Sequence, residues 1–206
     1  MANADLGLAI AHYRDLAPGY DHRTRRIDAI RTRAIEALGL RPGDTVLDAG
    51  CGTGWCLPRL IERVGEDGSV IGFDPSPEML AIARLRLNGS AKRLRIFGAS
   101  AQGARVPAAP DAILFSFTHD LLQSREALDN LLKQAKPGAR VAATGTKFFG
   151  PWLFPANWYL RYSHRGYLTD LKTLDRPWSL LADRLDDFRV DTSPFTPHYL
   201  ATGRVR

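Results

Sequence analysis

Three glycines spaced two apart, Gly50, Gly52 and Gly54, follow directly on a short apolar run that ends in an acid, Thr45-Val46-Leu47-Asp48-Ala49. Beyond them Leu57, Leu60, Ile61 and Val64 recur at roughly helical spacing, so the glycines join a strand to a helix. Such a turn lets the backbone approach a ligand closely and aims the free N–H groups of a helix start at it. A second run, Ser69-Val70-Ile71-Gly72-Phe73-Asp74, reads as another buried strand ending in a carboxylate, twenty residues past Gly54. An acid at that place can accept hydrogen bonds from the hydroxyls of a ribose.

The turn spacing is G-x-G-x-G. Dinucleotide-binding turns use G-x-G-x-x-G, and here Trp55 and Cys56 stand where the last glycine of that pattern belongs. The strings VLDAGCGTG and VIGFDPSPEML resemble the first two motifs of class I S-adenosylmethionine (SAM)-dependent methyltransferases. The resemblance implies an α/β fold: a doubly wound, Rossmann-like, mostly parallel seven-stranded sheet with an antiparallel last strand and helices on both faces. It is specific over residues 45–80 and extends loosely over nearly the whole chain.

The resemblance assigns Gly50, Gly52 and Gly54, with Cys51 between them, to the methionine side of the cofactor and Asp74 to the ribose. Asp48 would orient the loop or the cofactor amine. Pro75 and Met79 follow Asp74, and Met79 and Phe117 are candidate apolar neighbours of the adenine and the sulfonium. The family often carries an acid after the third strand to bind the adenine amino group. This chain has Ser100-Ala101 there, leaving adenine recognition to these residues, to backbone groups or to Gln102.

At 206 residues and 45 % hydrophobic content, the chain has the mass for one ordinary domain, expected to span 1–206. Cys51 and Cys56 both fall in or beside the glycine turn, where a bridge would pin the loop; reduced thiols are expected. No C-x-x-C pair or Cys/His cluster suggests a metal. No apolar run reaches membrane-spanning length and no secretory pattern opens the sequence, so a cytoplasmic protein is expected. The net charge of +6 favours anionic partners without choosing among them.

Residues 5–17 and 22–38 have helical patterning, are broken apart by Pro18-Gly19, and form an N-terminal segment over 1–40 ahead of the turn at Pro42-Gly43. Within it Tyr13, Ala17, Tyr20 and Asp21 make a Y-x-x-x-A-x-x-Y-D pattern similar to the N-terminal segment of quinone-biosynthesis (UbiE-like) methyltransferases, where it closes over the cofactor. Tyr13 and Tyr20 are therefore candidate cofactor contacts, and Tyr20 also a candidate to orient the acceptor; two tyrosines packing a helix pair remain the alternative. After Asp74, Pro77 starts a helix that Asn88-Gly89 should end. Leu94–Phe97, Asp111–Phe117 and Ala139–Ala143 read as the third to fifth strands, and Phe188–Asp191 with His198–Gly203 as a closing pair.

Residues 147–167 hold eight aromatics in 21 positions, and no acid occurs from Asn130 to Thr169. The loop after a fifth strand lies at the ligand end of an open sheet, so a basic, aromatic substrate cap is expected over about 147–175; an aromatic helix closing the core is the alternative. Phe148, Trp152 and Trp158 are its candidates for peripheral membrane contact.

Methyl transfer from a sulfonium asks for alignment and a dry pocket. A base is needed when the acceptor arrives protonated, and His119, just past the fourth strand, is the candidate; a histidine bonded to nearby backbone is the alternative. Nucleic acid is not expected as substrate. The fourth strand leads into Phe117-Thr118-His119-Asp120 with no Asp/Asn-Pro-Pro-aromatic motif, and no cysteine is free to attack a base. A small or lipophilic acceptor fits better. A quinone or phospholipid-headgroup enzyme at the inner membrane face, and a SAM-binding protein without transferase activity, stay open.

Overall fold

The computed structural model describes residues 17, 19–86, 93–163 and 172–206. Seven strands make one sheet in the order β3-β2-β1-β4-β5-β7-β6. They are β1 (Thr45–Ala49), β2 (Ser69–Asp74), β3 (Leu94–Gly98), β4 (Ala112–Ser116), β5 (Arg140–Thr146), β6 (Leu185–Thr192) and β7 (His198–Val205). Strands β1 to β5 pair in parallel, while β7 runs antiparallel to both β5 and β6. The sheet is the one implied by the sequence motifs.

Parallel strands need crossovers, and the helices supplying them cover both faces. Adjacent residues of each central strand therefore enter different cores. Leu47, Ile71, Ile113 and Val141 join one cluster, with α5 (His119–Leu122), α6 (Arg125–Leu132) and α8 (Ser179–Ala182) above them. Val46, Val70, Leu114 and Ala142 join the other, under α2 (Asp28–Ala37), α3 (Leu57–Val64) and Leu80 of α4 (Pro77–Arg86). Burial on both faces is why these strands read as unbroken apolar runs. Edge strand β6 differs: Asp186, Asp187, Arg189 and Asp191 line it, and charge of this kind discourages pairing with another chain.

The N-terminal helix expected to open near residue 22 begins earlier and in pieces. α1 (Tyr20–Thr24) leads through a 3₁₀ turn, Arg25–Ile27, into α2, and Gly39 at φ 55° ends the run. Apart from Ala17, the helix expected over 5–17, with Tyr13, and the helix stop at Asn88-Gly89 lie outside the described residues. Between β5 and β6 come a 3₁₀ turn (Pro151–Leu153), α7 (Phe154–Ser163), a second 3₁₀ turn (Lys172–Asp175) and α8.

The root of this segment corrects the sequence expectation. Phe148, proposed for membrane contact, is buried against Leu160 and Leu174. Lys147, counted among the basic residues of the cap, is buried too; its Nζ donates to the carbonyls of Phe148 at 2.9 Å and Ser193 at 2.8 Å. Both corrections share a cause: the chain leaves β5 inward, tied by Lys147 N–H to Pro197 O and Phe148 N–H to Leu174 O.

Candidate cofactor and acceptor site

Strand β1 lies mid-sheet, with β2 and β3 laid down on one side and β4 and β5 on the other. The carboxyl ends of β1 and β4 thus diverge toward connections that leave in opposite directions, the crevice where open α/β sheets take ligands. The glycine turn fills its floor. Gly50, Gly52 and Gly54 all have positive φ (74°, 53° and 74°), and for two of them close approach adds a second requirement. A Cβ at Gly50 would lie 2.6 Å from Thr118 Cγ2, and one at Gly54 would lie 2.9 Å from Ala83 Cβ. At Gly52 the same Cβ meets nothing within 4 Å, so that backbone faces open space.

Asp74 holds this turn against β2. Its two carboxylate oxygens accept from Gly52 N–H and Ser76 N–H, each at 2.9 Å. Burial pushes its pKa up to about 6 against the pull of those two N–H groups. Asp48 is more deeply placed, 1 % exposed, and burial pushes it up to about 7, opposed by the Arg31 cation and reinforced by Asp74. Its Oδ2 and the hydroxyl of Thr118 are buried with no hydrogen-bond partner among the described residues. Orphaned acceptors of this kind are costly unless a bound group satisfies them. A ligand carrying an ammonium fits that gap.

Cys51 and Cys56 are free and buried, and burial pushes both thiols up, so neither is poised as a nucleophile. Pro75 is half-buried at the end of β2. Met79 is buried in the first turn of α4, its N–H donating to Ser76 Oγ. Ser100 and Ala101 sit past β3, one strand further out. Asn130 Nδ2 donates to Ala101 O at 2.9 Å, and Gln102 Nε2 to Ser124 Oγ at 3.3 Å, which turns that amide toward α6.

Past β4, Phe117 adopts φ 58°, an outlier for a bulky side chain. Its ring meets His198 edge-on at 5.8 Å. His119, two residues on, is buried with Nε2 3.1 Å from Thr173 Oγ1, which ties α5 to the segment entering α8. Tyr20 is half-buried in α1 beside Asp21. The crevice therefore brings together Asp48, the three glycines, Cys51 and Asp74, with Phe117 and His119 at the neighbouring strand end.

Four residues at this site went unassigned from sequence. Asp21 accepts from Thr53 Oγ1 at 2.6 Å and pairs with Arg86, whose Nε donates to Thr53 O at 3.2 Å. One triangle thus clips the N-terminal segment and α4 to the glycine turn. The fourth, Arg31, is buried, its guanidinium 5.3 Å from the Trp55 ring centre and 5.6 Å from that of Phe117. Arg59 covers Trp55 at 3.9 Å. The available signal for Arg31 was positional: it shares the 31-34-35-38 stripe with Ala34, Ile35 and Leu38, so a cation occupies the apolar face of α2. Among the described residues, no group of three or more His, Cys, Asp and Glu is placed to hold a metal, and no helix is long and apolar enough to cross a membrane.

A sheet of this order with a G-x-G-x-G turn at its switch point defines an open α/β domain with a ligand crevice at the carboxyl ends of its strands. Residues 46–138 match the family model described as a methyltransferase domain. Demethylmenaquinone methyltransferase of Shouchella clausii is 32 % identical over 61 % of this chain and 52 % of its own length. The chloroplastic 2-phytyl-1,4-beta-naphthoquinone methyltransferase of Arabidopsis thaliana is 27 % identical over 77 % of this chain and 74 % of its own. The chain thus spans about half the length of the first relative. Among solved structures, the N-methyltransferase NodS of Bradyrhizobium japonicum in complex with S-adenosyl-L-homocysteine superposes with TM-score 0.64 at 17 % identity, covering 87 % of this chain and 90 % of that one. Over residues 46–138 the chain is thus similar to methyltransferase domains, and its whole sheet has the fold of the NodS structure.

Proposed function

We propose that the protein transfers a methyl group from SAM to a small, lipophilic acceptor of the quinol class, working in the cytoplasm. One observation carries the cofactor half of this reading. The open backbone at Gly52 is held by the half-buried Asp74, and the buried Asp48 of the preceding strand has an oxygen without a hydrogen-bond partner among the described residues. The acceptor half is supported by the two quinone methyltransferase relatives.

When bound, SAM supplies a methyl group activated on a sulfonium. Asp48 receives the cofactor's ammonium, satisfying the orphaned oxygen and keeping that carboxyl ionised. Asp74 uses the lone pairs left over from its two N–H bonds for the ribose hydroxyls. Gly50, Cys51, Gly52 and Gly54 offer backbone at a distance that a side chain would deny. Pro75, Met79, Ser100 and Ala101 would hold the adenine, and Phe117 would supply an apolar neighbour to the sulfonium. Tyr20 would cover the site from the N-terminal segment, while Tyr13, the other tyrosine of that pattern, lies outside the described residues. A quinol acceptor sheds a proton as it gains a methyl, and His119 takes that proton while Tyr20 orients the ring. All 206 residues act as one domain, with the segment around 147–175 bordering the acceptor.

The test is calorimetric titration with SAM, followed by transfer from labelled SAM to demethylmenaquinol, to other prenylated quinols and to phosphatidylethanolamine. Binding with transfer to the quinols is the expected result. Binding without transfer to any acceptor in the set favours a non-catalytic SAM-binding protein, and transfer to the phospholipid alone favours a headgroup enzyme.

A further inference from the structure

Helix α7 carries two apolar faces. Leu160 points into the chain, against Phe148 and Leu174. Phe154, Trp158, Tyr159 and Tyr162 point out, and with Trp152 on the preceding turn and Phe195 in the β6–β7 loop they are between 63 % and 73 % exposed. Phe154, Trp158 and Tyr162 are four residues apart and so form one stripe along the helix. The Trp158 and Tyr162 rings stack within it, 6.4 Å apart and 14° from parallel. The β6–β7 loop lies alongside. Gly150 N–H donates to Pro194 O at 2.8 Å, and a Cβ at Gly150 would meet the Trp152 ring at 2.9 Å and Pro194 at 3.1 Å.

Six exposed aromatics on two adjoining segments exceed the scattered apolar residues of an ordinary surface. We infer that this surface seats the protein on an anionic lipid bilayer. Trp and Tyr combine an apolar ring with a polar tip and settle at headgroup depth. The sequence offers an anionic surface nothing to repel: there is no Asp or Glu from Asn130 to Thr169, and Arg161 and Arg165 fall within and just after α7. Three other basic residues of that stretch are otherwise engaged, and Lys133 lies on the C-terminal side of α6, away from α7 in sequence. Lys136 and Arg140 pair with Asp111 and Asp44, and Lys147 is buried. The third argument rests on the proposed lipophilic acceptor. α7 and the β6–β7 loop leave the carboxyl ends of β5 and β6, the edge that carries the glycine turn. A seated protein therefore opens its crevice toward the layer in which such an acceptor dissolves.

Flotation of the full chain with phosphatidylcholine vesicles, with and without phosphatidylglycerol, tests this directly. Wild type should float with the anionic vesicles, its tryptophan emission shifting to the blue. Trp158→Ser/Tyr162→Ser, which alters only outward rings, should partition about ten-fold less or weaker still while keeping its melting temperature and SAM affinity. Two results overturn the inference: wild type that floats with neither vesicle, and equal flotation of the two proteins. A wild type that self-associates in solution and loses that association in the variant overturns it as well, since the surface then serves a protein contact. Failure to bind SAM with flotation intact would instead strike the proposed function.

Discussion

Replacing Gly52 and Gly54 separately by alanine separates what the turn does for the fold from what it does for the ligand. At Gly54 the added methyl would sit 2.9 Å from Ala83 Cβ, 3.1 Å from Leu57 Cδ1 and 3.2 Å from Ala83 Cα, at φ 74°. The left-handed backbone costs about 1–2 kcal/mol and overpacking about 1–3 kcal/mol. Their sum, about 2–5 kcal/mol, lowers the melting temperature by about 4–20 °C at about 2–4 °C per kcal/mol for a chain of this size. Gly52, at φ 53°, has no atom within 4 Å of its missing Cβ. Only the backbone term applies there, and the loss should be about 2–8 °C. Its methyl would instead occupy the open space, so SAM affinity should fall about ten-fold or more, at about 1.4 kcal/mol per decade. Scanning calorimetry and SAM titration on both variants provide the assay. Full SAM affinity in Gly52→Ala would refute the placement of cofactor over that backbone. A Gly54→Ala protein no less stable than Gly52→Ala would refute the packing argument.

Asp74→Ala should weaken SAM binding by about 1.5–3 kcal/mol, the usual loss for hydrogen bonds to a charged group, as read by calorimetry. Asp48 and Asp74 are raised from 3.8 to about 7 and about 6, so the fold holds protons that the unfolded chain releases. The stability from this is full below about pH 4 and is lost as pH rises through about 6 and 7, which thermal melts across that range will show. SAM binding should run the opposite way, strengthening from about pH 5.5 to 7 with proton release, and Asp48→Asn should flatten the trend. His119→Ala should leave SAM affinity unchanged and cut turnover by about 10²–10⁴-fold, with partial recovery at high pH; near-normal turnover at neutral pH would remove it as the base.

The central strands and the glycine turn were legible because each is a local statement. Val46–Ala49 and Val70–Phe73 are apolar without alternation since both their faces are covered, and a G-x-G-x-G string needs no distant partner to be read. Phe117 was legible as a strand end but not as a left-handed residue, since nothing in its neighbours' identities demands φ 58°. Lys147 and Phe148 were misread for a related reason. Aromatic and basic composition says what a segment holds and not which way the chain turns on leaving β5. The Asp21–Thr53–Arg86 triangle joins positions 32 and 33 residues apart, and pairings at that range leave no pattern along a single chain.

The same distinction separates the two halves of the crevice physically. On the cofactor side the geometry is set by backbone: positive φ at three glycines, close approach at two of them, and a carboxylate capping Gly52 and Ser76. Each such feature admits few residue types, so the sequence there has little freedom and announces its chemistry. On the proposed acceptor side the candidates are side chains of α7, Phe117, and His119, whose Nε2 meets Thr173 Oγ1. Outward rings at Phe154, Trp158 or Tyr162 can be exchanged for others of similar size at small cost to the core, because their packing is against solvent or a partner. Freedom of that kind lets one cofactor platform serve different acceptors. It also explains why the platform is readable from residues 45–80 alone, whereas the acceptor has to be approached through the exposed surface around it.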